Sequence, residues 1–600
     1  MCGIFSIFDY RNGNTGIRET EIERVCDSMR SRGPDGKGVW IDRVAGIGMG
    51  HRRLSIIDLS ECGVQPMGTS DGMYRIVFNG EIYNYKELRC ELERKGYRFF
   101  SNSDTEVLLH LYADRGFEMV RSLRGMFAFA LWDAKKKGLF VVRDPFGIKP
   151  LYYADDGRTI RVVSQVKSLL ESDRVDNRPE PAGHVGFFLW GHIPEPYTLY
   201  KGIRAIPAGT YLWVDSGGVR GPTCYYSVSN IIAEAGGAAK DLEAEDFRET
   251  LREVLSDTIN HHLVSDVPVG VFLSSGIDSA TITALASQVI RENLKTLTVG
   301  FHEFEGTEKD ETPLASRIAG HYGTSHRTYW ISEEDFSCDK EKILNAMDQP
   351  SIDGVNTYFI SKAAAACGMK VVLSGVGGDE LFGGYSTFRE LPAMVRTLSK
   401  VSWIPGVGKT ARRAIYPIIR KWTSPKYAGL LEYGGTYGGA YLIRKALFMP
   451  WELSGLRLLD DDLITQGVSD LNTLENLENT VKGIPFDRSK VTALEVSWYM
   501  RNQLLRDTDW AGMTHSIEIR IPFVDVELFR HLSRCLAANH PPNKADLGST
   551  PNVPLPNEVL NRPKTGFHTP VDRWIQRDGI DKRRERGLRG WAKLVYRHFN

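Results

Sequence analysis

What this chain lacks narrows the field first. Its eight cysteines (Cys2, Cys26, Cys62, Cys90, Cys224, Cys338, Cys367, Cys535) form no CxxC pair and no dense framework, which argues against zinc and disulfide scaffolds and fits a reducing, cytoplasmic compartment. No basic segment with a short apolar run opens the sequence, and no apolar run approaches the roughly 20 residues of a membrane span. Neither secretion nor membrane insertion is expected. Net charge is missing as well: 75 Lys+Arg balance 75 Asp+Glu, so no global field draws nucleic acid or an anionic membrane. There is no internal repeat and no low-complexity tract.

What remains is an ordinary globular composition, 42% hydrophobic and 25% charged, over 600 residues. Single cores stop growing near about 250–300 residues, so at least two domains are expected. Up to about Pro207, "YRIVFNGEIYN", "GMFAFALWD", "GLFVVRD", "LYYADDG" and "GTYLWVD" alternate and are punctuated by turns, as packed β-sheets are. Amphipathic helices are expected near "RETEIERVCDSMRSR" and "DTEVLLHLYADR". This half reads as α+β. Between Cys224 and Leu242 the text loses its periodicity and reads as a linker. Beyond it, "VGVFLSSGIDSATITALASQVI", "LKTLTVGF" and "MKVVLSGVGGDELFGGY" separate strands by helical stretches, which predicts a parallel sheet with its functional loops at the carboxyl ends of the strands. From about Val395 the sequence is largely helical. The basic tail "DKRRERGLRGWAKLVYRHFN" reads as a solvated helix rather than a nucleic-acid contact.

The first residues carry chemistry. Removal of Met1 from "MCGIFSIFDY" would give Cys2 a free α-amine of pKa about 7.7–8.0 beside a thiol of about 8.5, so the residue carries its own base. In "FNGEIYN", the Asn79 side chain and the Gly80 N–H are suited to stabilise an oxyanion. Arg53 in "GHRRLSIID" can grip a carboxylate and Asp104 in "SNSDTEV" an ammonium. Singly, each has a plainer reading: a small buried thiol, a hairpin turn, surface charges.

Together these strings, with "RSRGPDG", "RGMFAFALWD" and "RDPFGIKPLYY", resemble the glutaminase domain of the class II (N-terminal nucleophile) glutamine amidotransferases. The resemblance implies an αββα sandwich in which Cys2 forms a glutamyl thioester. It makes Asn79 and Gly80 the oxyanion hole, and it assigns glutamine binding to Arg53, Asn79, Gly80, Glu81 and Asp104.

Further along, "LSSGIDS" follows a strand and precedes a helix, so backbone N–H groups and hydroxyls can converge on an anion; it lacks the Walker spacing. With "LTVGF", "SGVGGDELFGGY", "DETPLASRIAGHYGTSH", "SIEIRIPFVDVEL" and "RPKTGFHTPVDRW", it resembles the ATP pyrophosphatase domain of the glutamine-hydrolysing asparagine synthetases. Residues 1–215 are then the glutaminase domain, 216–244 a linker, and 245–600 an α/β parallel-sheet synthetase domain with a helical C-terminal part. The resemblance implies that ATP and pyrophosphate are bound by Phe272, Ser274, Ser275, Gly276, Asp278, Ser279, Val299, Ser374, Gly375 and Lys564. It also implies Mg²⁺ on Asp278 and Asp379, and catalytic roles for Asp278 and Lys564. Met126 and Ile148 fall where the family lines an ammonia tunnel.

The expected reaction is glutamine-dependent, ATP-driven amidation of a carboxylate, aspartate first. The expected partners are small molecules, with no nucleic acid and no membrane; a homodimer is compatible with the resemblance. Two departures stand out. Ser275 replaces a family glycine and would be strained by about 1–2 kcal/mol if φ is positive there. Val376 stands where asparagine synthetases carry glutamate, which leaves another acceptor open, a glycan uronic acid or a secondary metabolite. Rival readings are a glutaminase feeding a different synthase, against which "LSSGIDS" speaks, and an inactive scaffold, against which Cys2, Asn79, Asp278, Asp379 and Lys564 speak.

Overall fold

The computed structural model of the chain describes residues 2–11, 16–237, 244–290, 293–402, 406–536, 541–563, 569–571, 573–574 and 588–600. The amino-terminal half is built on twelve strands: β1 (Gly3–Asp9), β2 (Gly36–Asp42), β3 (Ile47–Arg53), β4 (Met67–Gly68), β5 (Tyr74–Ile82), β6 (Gly125–Asp133), β7 (Gly138–Arg143), β8 (Tyr152–Asp155), β9 (Thr159–Val163), β10 (Arg204–Ala205), β11 (Thr210–Asp215) and β12 (Gly218–Cys224). They form two six-stranded sheets, ordered β10-β8-β9-β1-β3-β2 and β12-β11-β7-β6-β5-β4.

Alternation along the strands explains why the sheets stack. On β1, Ile4 and Phe8 face β5, β6 and β7 through Val77, Ala130 and Val141 in one buried cluster between the sheets. The intervening Phe5 and Ile7 pack on the helix Glu19–Ser28 through Ile22, Val25 and Cys26. The second sheet turns Phe78, Phe127 and Phe129 outward onto Val107, Leu108 and Leu111 of the helix Asp104–Arg115. Helix, sheet, sheet and helix layers follow, because the central strands such as β1, β5 and β6 bury apolar residues on both faces.

The second half is organised by a five-stranded sheet of β13 (Val269–Phe272), β14 (Lys295–Phe301), β15 (Ser325–Ile331), β16 (Val371–Leu373) and β17 (Glu518–Arg520), ordered β15-β14-β13-β16-β17. Every pairing in it is parallel. Chain order reverses direction between β13 and β16, and in such sheets ligands enter the crevice at the carboxyl ends of the strands flanking that point. The loops there are 273–276 and 374–377. Around the sheet the C-terminal half is mostly helical, as its sequence leads one to expect.

Three details differ from the sequence reading, the first being that the tail expected as a solvated helix is, over Arg589–Phe599, a helix packed into the core through Trp591, Ala592, Val595 and Tyr596. The span 216–244, expected as a linker, begins as β12, which pairs with β11, and continues as a helix, Val228–Gly237, whose Val228 and Ile232 are buried; residues 238–243 lie outside those described. An edge strand exposed from Arg220 to Cys224 has no hydrophobic alternation to reveal it. β17 is hidden for the opposite reason: a fully buried strand carrying Glu518 and Arg520 does not read as core. Among the described residues no helix is long and apolar enough to cross a membrane.

Candidate active sites

Cys2 immediately precedes β1 and is 8% exposed. Its N–H donates to Asn79 Oδ1 at 2.9 Å, which fixes the Asn79 amide. The other end of that amide, Nδ2, is buried with no hydrogen-bond partner among the described residues, so a donor stands ready for an incoming oxygen. Gly80, next on β5, has φ +155°, and a Cβ there would fall 2.1 Å from the Met126 carbonyl oxygen of β6. Only glycine fits. Burial pushes the Cys2 thiol above its ordinary value.

The register that pairs Gly3 with Arg52 brings Arg53 opposite Cys2. The Arg53 guanidinium donates to the carbonyls of Asp58 and, at 2.9 Å, Ser60, which pins it against the loop after β3. Asp104 begins its helix and accepts from Ile82 N–H at 3.0 Å, beside Glu81 at the end of β5. Burial raises the Asp104 carboxyl to about 6. Glu81 is pushed well above the carboxylate range, first by burial and then by Glu518, against the pull of Arg520. Cys2, Asn79, Gly80, Glu81, Arg53 and Asp104 are thus gathered by three strands and one helix start.

Several charged residues that the sequence reading left unassigned tie this site to the other half. Arg32, fully buried, donates from Nε to the Cys2 carbonyl at 3.1 Å and grips Asp509 with both terminal nitrogens at 2.6 and 3.0 Å. Arg520 on β17 lies 3.4 Å from Glu81, bonds Glu518 at 2.6 Å, and donates to the carbonyls of His262 and Val264. Burial raises Glu518, yet the positive charges near it, Arg520 and Lys149 among them, hold it at about 2. Arg124 closes a further buried bridge to Asp525 at 2.8 Å. Charge at alternate positions of "SIEIR" was the available signal.

Met126 and Ile148 are buried in one apolar cluster that runs from Phe78 and Phe127 to Leu373 and Phe523, and Val376 packs against it. This cluster spans both halves.

At the switch point, Phe272 ends β13, and the loop Ser274–Ser275–Gly276 leads into the helix Ile277–Val289. Ser274 and Ser279 hydroxyls lie 2.9 Å apart, and Ser279 Oγ also accepts from Ser274 N–H, closing the loop around the helix start. Ser275 Oγ is buried without a partner among the described residues. Ser275 is not among the residues with positive φ, so the expected strain does not arise. Val299 lies in β14, next to β13. From the neighbouring β16, Ser374 donates its N–H to the Arg520 carbonyl at 2.9 Å, and Gly375 and Gly378 pass so close that a Cβ on either would touch Asp278.

Asp278 and Asp379 converge on one cation, the Lys544 ammonium, which bonds Asp278 and lies 2.8 Å from Asp379 Oδ1. Two carboxylates that already flank a positive charge fit a divalent cation whose remaining ligands are phosphate oxygens and water. Among the described residues no group of three or more His, Cys, Asp or Glu side chains is placed to hold a metal. Lys544 was not singled out from the sequence. Lys564, which was, lies outside the described residues. Glu380, four residues past Val376, is buried, raised to about 7 by burial and by Asp379 and Glu495, and accepts from Tyr385 OH at 2.9 Å.

An αββα half with a buried cysteine at its start, followed by a parallel sheet with an anion-shaped loop at its switch point, defines a two-domain amidotransferase. Residues 1–226 match the glutamine amidotransferase domain family and residues 250–598 the asparagine synthase family. The chain belongs to the family of glutamine-hydrolysing asparagine synthetases. It is 32% identical to asparagine synthetase 1 of Bacillus subtilis strain 168 over 590 residues, 96% of this chain and 88% of the relative. It is 33% identical to asparagine synthetase B of Escherichia coli K12 over 405 residues, 65% of this chain and 66% of the relative. It is also 32% identical to the amidase chry2 of Gibberella zeae over 416 residues, 65% and 60% of the two chains.

Proposed function

We propose that this protein hydrolyses glutamine at Cys2 and uses the ammonia to amidate a carboxylate that ATP has activated, aspartate being the first candidate and asparagine its product. The observation that carries the reading is the Asn79 amide, held at one end by Cys2 and unpartnered at the other. With Met1 removed, the Cys2 amine takes the thiol proton and the sulfur attacks the glutamine side-chain carbonyl. Asn79 Nδ2 and the Gly80 N–H stabilise the oxyanion. Ammonia leaves, and water releases glutamate from the thioester. Arg53 holds the substrate carboxylate, and Glu81 and Asp104 its ammonium. Mature protein that retains Met1 would contradict this step.

At the second site the acceptor carboxylate attacks the α-phosphorus of ATP and pyrophosphate departs. Ser274, Ser275, Gly276 and Ser279 bind the leaving pyrophosphate at the helix start, with Lys564 neutralising its charge; Phe272, Val299, Ser374 and Gly375 cradle the adenylate. Asp278 and Asp379 are the residues to hold Mg²⁺, which when bound neutralises phosphate charge. Ammonia then attacks the acyl carbon and displaces AMP. Valine at 376 cannot take the proton this releases, whereas Glu380, with a pKa of about 7, can. Ammonia must stay unprotonated on its way, and the dry cluster containing Met126 and Ile148 suits that passage.

Val376 also favours a second reading, the same amidation on a different carboxylate. The deciding experiment is a screen of carboxylates, aspartate first, for pyrophosphate release with glutamine and ATP. Turnover with aspartate supports the first reading; turnover only with another acid supports the second; glutamine hydrolysis without any acceptor-dependent pyrophosphate contradicts both.

A further inference from the structure

The second site continues past Glu380 to a cation, Lys445, which ends the helix Tyr437–Lys445. Its ammonium lies 2.8 Å from Glu495 Oε2. Two tyrosine rings complete its surroundings, their centres 3.8 Å (Tyr499) and 4.7 Å (Tyr385) from the nitrogen, and the rings meet edge to face with centres 6.1 Å apart. Tyr385 is also the residue whose hydroxyl donates to Glu380 Oε1 at 2.9 Å. One tyrosine therefore separates the cation from Glu380.

The hydrogen bonding around Lys445 is one-sided. Glu495 is fully buried and supplied from other directions, its Oε1 accepting from Thr387 Oγ1 at 2.7 Å and its Oε2 lying 3.5 Å from Tyr441 OH. Lys445 is not so supplied: an ammonium carries three hydrogens, and among the described residues Glu495 is its one acidic partner. Ring faces attract the charge but hold no hydrogen bond of ordinary strength. Two hydrogens remain for an oxygen that comes from outside, and the side chain, 18% exposed against 0% for Glu495, is open to one. On the far side of Tyr385, Glu380 Oε2 is buried with no hydrogen-bond partner among the described residues. Both Glu495 and Tyr499 come from the π-helical turn Glu495–Leu505, an irregularity that helices carry mostly at functional sites. The phosphates have a cation of their own in Lys544, between Asp278 and Asp379.

We propose that Lys445 sets the acceptor specificity by binding a second carboxylate, the one ATP does not activate, while the reacting carboxyl group lies on the Glu380 side of Tyr385. The inference rests on the amidation reading and narrows it to acceptors with two acid groups. A partly desolvated ammonium with spare donors pairs strongly with a carboxylate and poorly with a neutral group. Aspartate meets the requirement. β-Alanine, which is aspartate without its α-carboxylate, does not.

The test is acceptor-dependent pyrophosphate release by the full chain with ATP and ammonium, which bypasses Cys2. Each two-acid probe is compared with its analogue lacking one carboxylate: aspartate with β-alanine, glutamate with 4-aminobutyrate, succinate with propionate. The parent should favour the two-acid member of its best pair by at least about tenfold in kcat/KM, the scale of a charge-assisted hydrogen bond. Because Lys445→Met alone would strand the buried Glu495, the decisive variant is Lys445→Met with Glu495→Gln. It should raise KM for the two-acid probe at least about tenfold with kcat within about threefold, and leave KM for ATP and the single-acid rate as they were. Lys445→Arg, and Glu495→Gln alone, keep a cation in place and should keep the preference. A double variant with the parent's preference would show that the pair is structural only; a KM for ATP that rises in step would put the cation on the nucleotide; a parent indifferent to the second carboxylate would contradict the proposal outright. A parent that releases no pyrophosphate with any of these acids or with any other carboxylate is a different result, and it would overturn the amidation reading and this inference with it.

Discussion

The guanidinium of Arg520, on the last strand of the parallel sheet, lies 3.4 Å from the carboxyl of Glu81, which follows Gly80 in the other half. The same residue's carbonyl accepts from Ser374 N–H in the loop after β16. One fully buried arginine therefore touches both candidate sites, and its cation offsets the buried Glu518 carboxylate while lying against Glu81, whose carboxyl burial pushes well above the carboxylate range. Arg520→Met should cost about 3–5 kcal/mol in urea unfolding, the scale for stranding buried charges. Adding Glu518→Gln should restore part of it. An Arg520→Met variant of unchanged stability would contradict this reading of the bridge.

In the proposed reaction Asp104 sets a pH dependence for glutamine. Burial raises its carboxyl to about 6, so below that value the group is neutral and cannot pair with the substrate ammonium. The KM for glutamine should rise as pH falls through about 6, by up to roughly tenfold per unit. Asp104→Asn should give a high KM with this step removed. A flat KM in the parent enzyme across that range would count against the assignment.

Glu380 predicts a second inflection, in the other reaction. Its pKa of about 7 means that deprotonation, and so its capacity to accept the proton that ammonia sheds, is gained as pH rises through neutrality. With glutamine as nitrogen source, acceptor-dependent amide formation should climb through about pH 7, and Glu380→Gln should slow it about 100-fold and erase the step. A Glu380→Gln variant with the parent's profile would show that the proton goes elsewhere.

Much of this was legible in the sequence, unevenly so. Strands such as β5 and β6 alternate or run apolar for nine residues and announce themselves, and Gly80 signals its own necessity through the "NGE" string. Arg32, Lys149 and Lys544 were not legible, and Glu518 and Arg520 only as alternate charges in "SIEIR", because a buried charge is identified by its partner, and those partners are hundreds of residues away: Asp509 for Arg32, Glu81 for Arg520, Asp278 for Lys544. The strain anticipated at Ser275 required knowing φ, which composition does not encode.

Lys544 separates the two sites experimentally. Removing the ammonium that bridges Asp278 and Asp379 should reduce acceptor-dependent pyrophosphate release about 100-fold, while glutamine hydrolysis, in the other half, persists. Lys544→Ala assayed for both products tests this; loss of glutamine hydrolysis to the same extent would show that the sites are not separable in this way.

The most direct measurement is amide formation by Cys2→Ala from glutamine and from ammonium, on one folded preparation with ATP and the acceptor found by screening. The account predicts no amide from glutamine and an undiminished yield from ammonium, since the sulfur delivers nitrogen and takes no part in activating the acid. Equal loss from both sources, or continued use of glutamine, would contradict it.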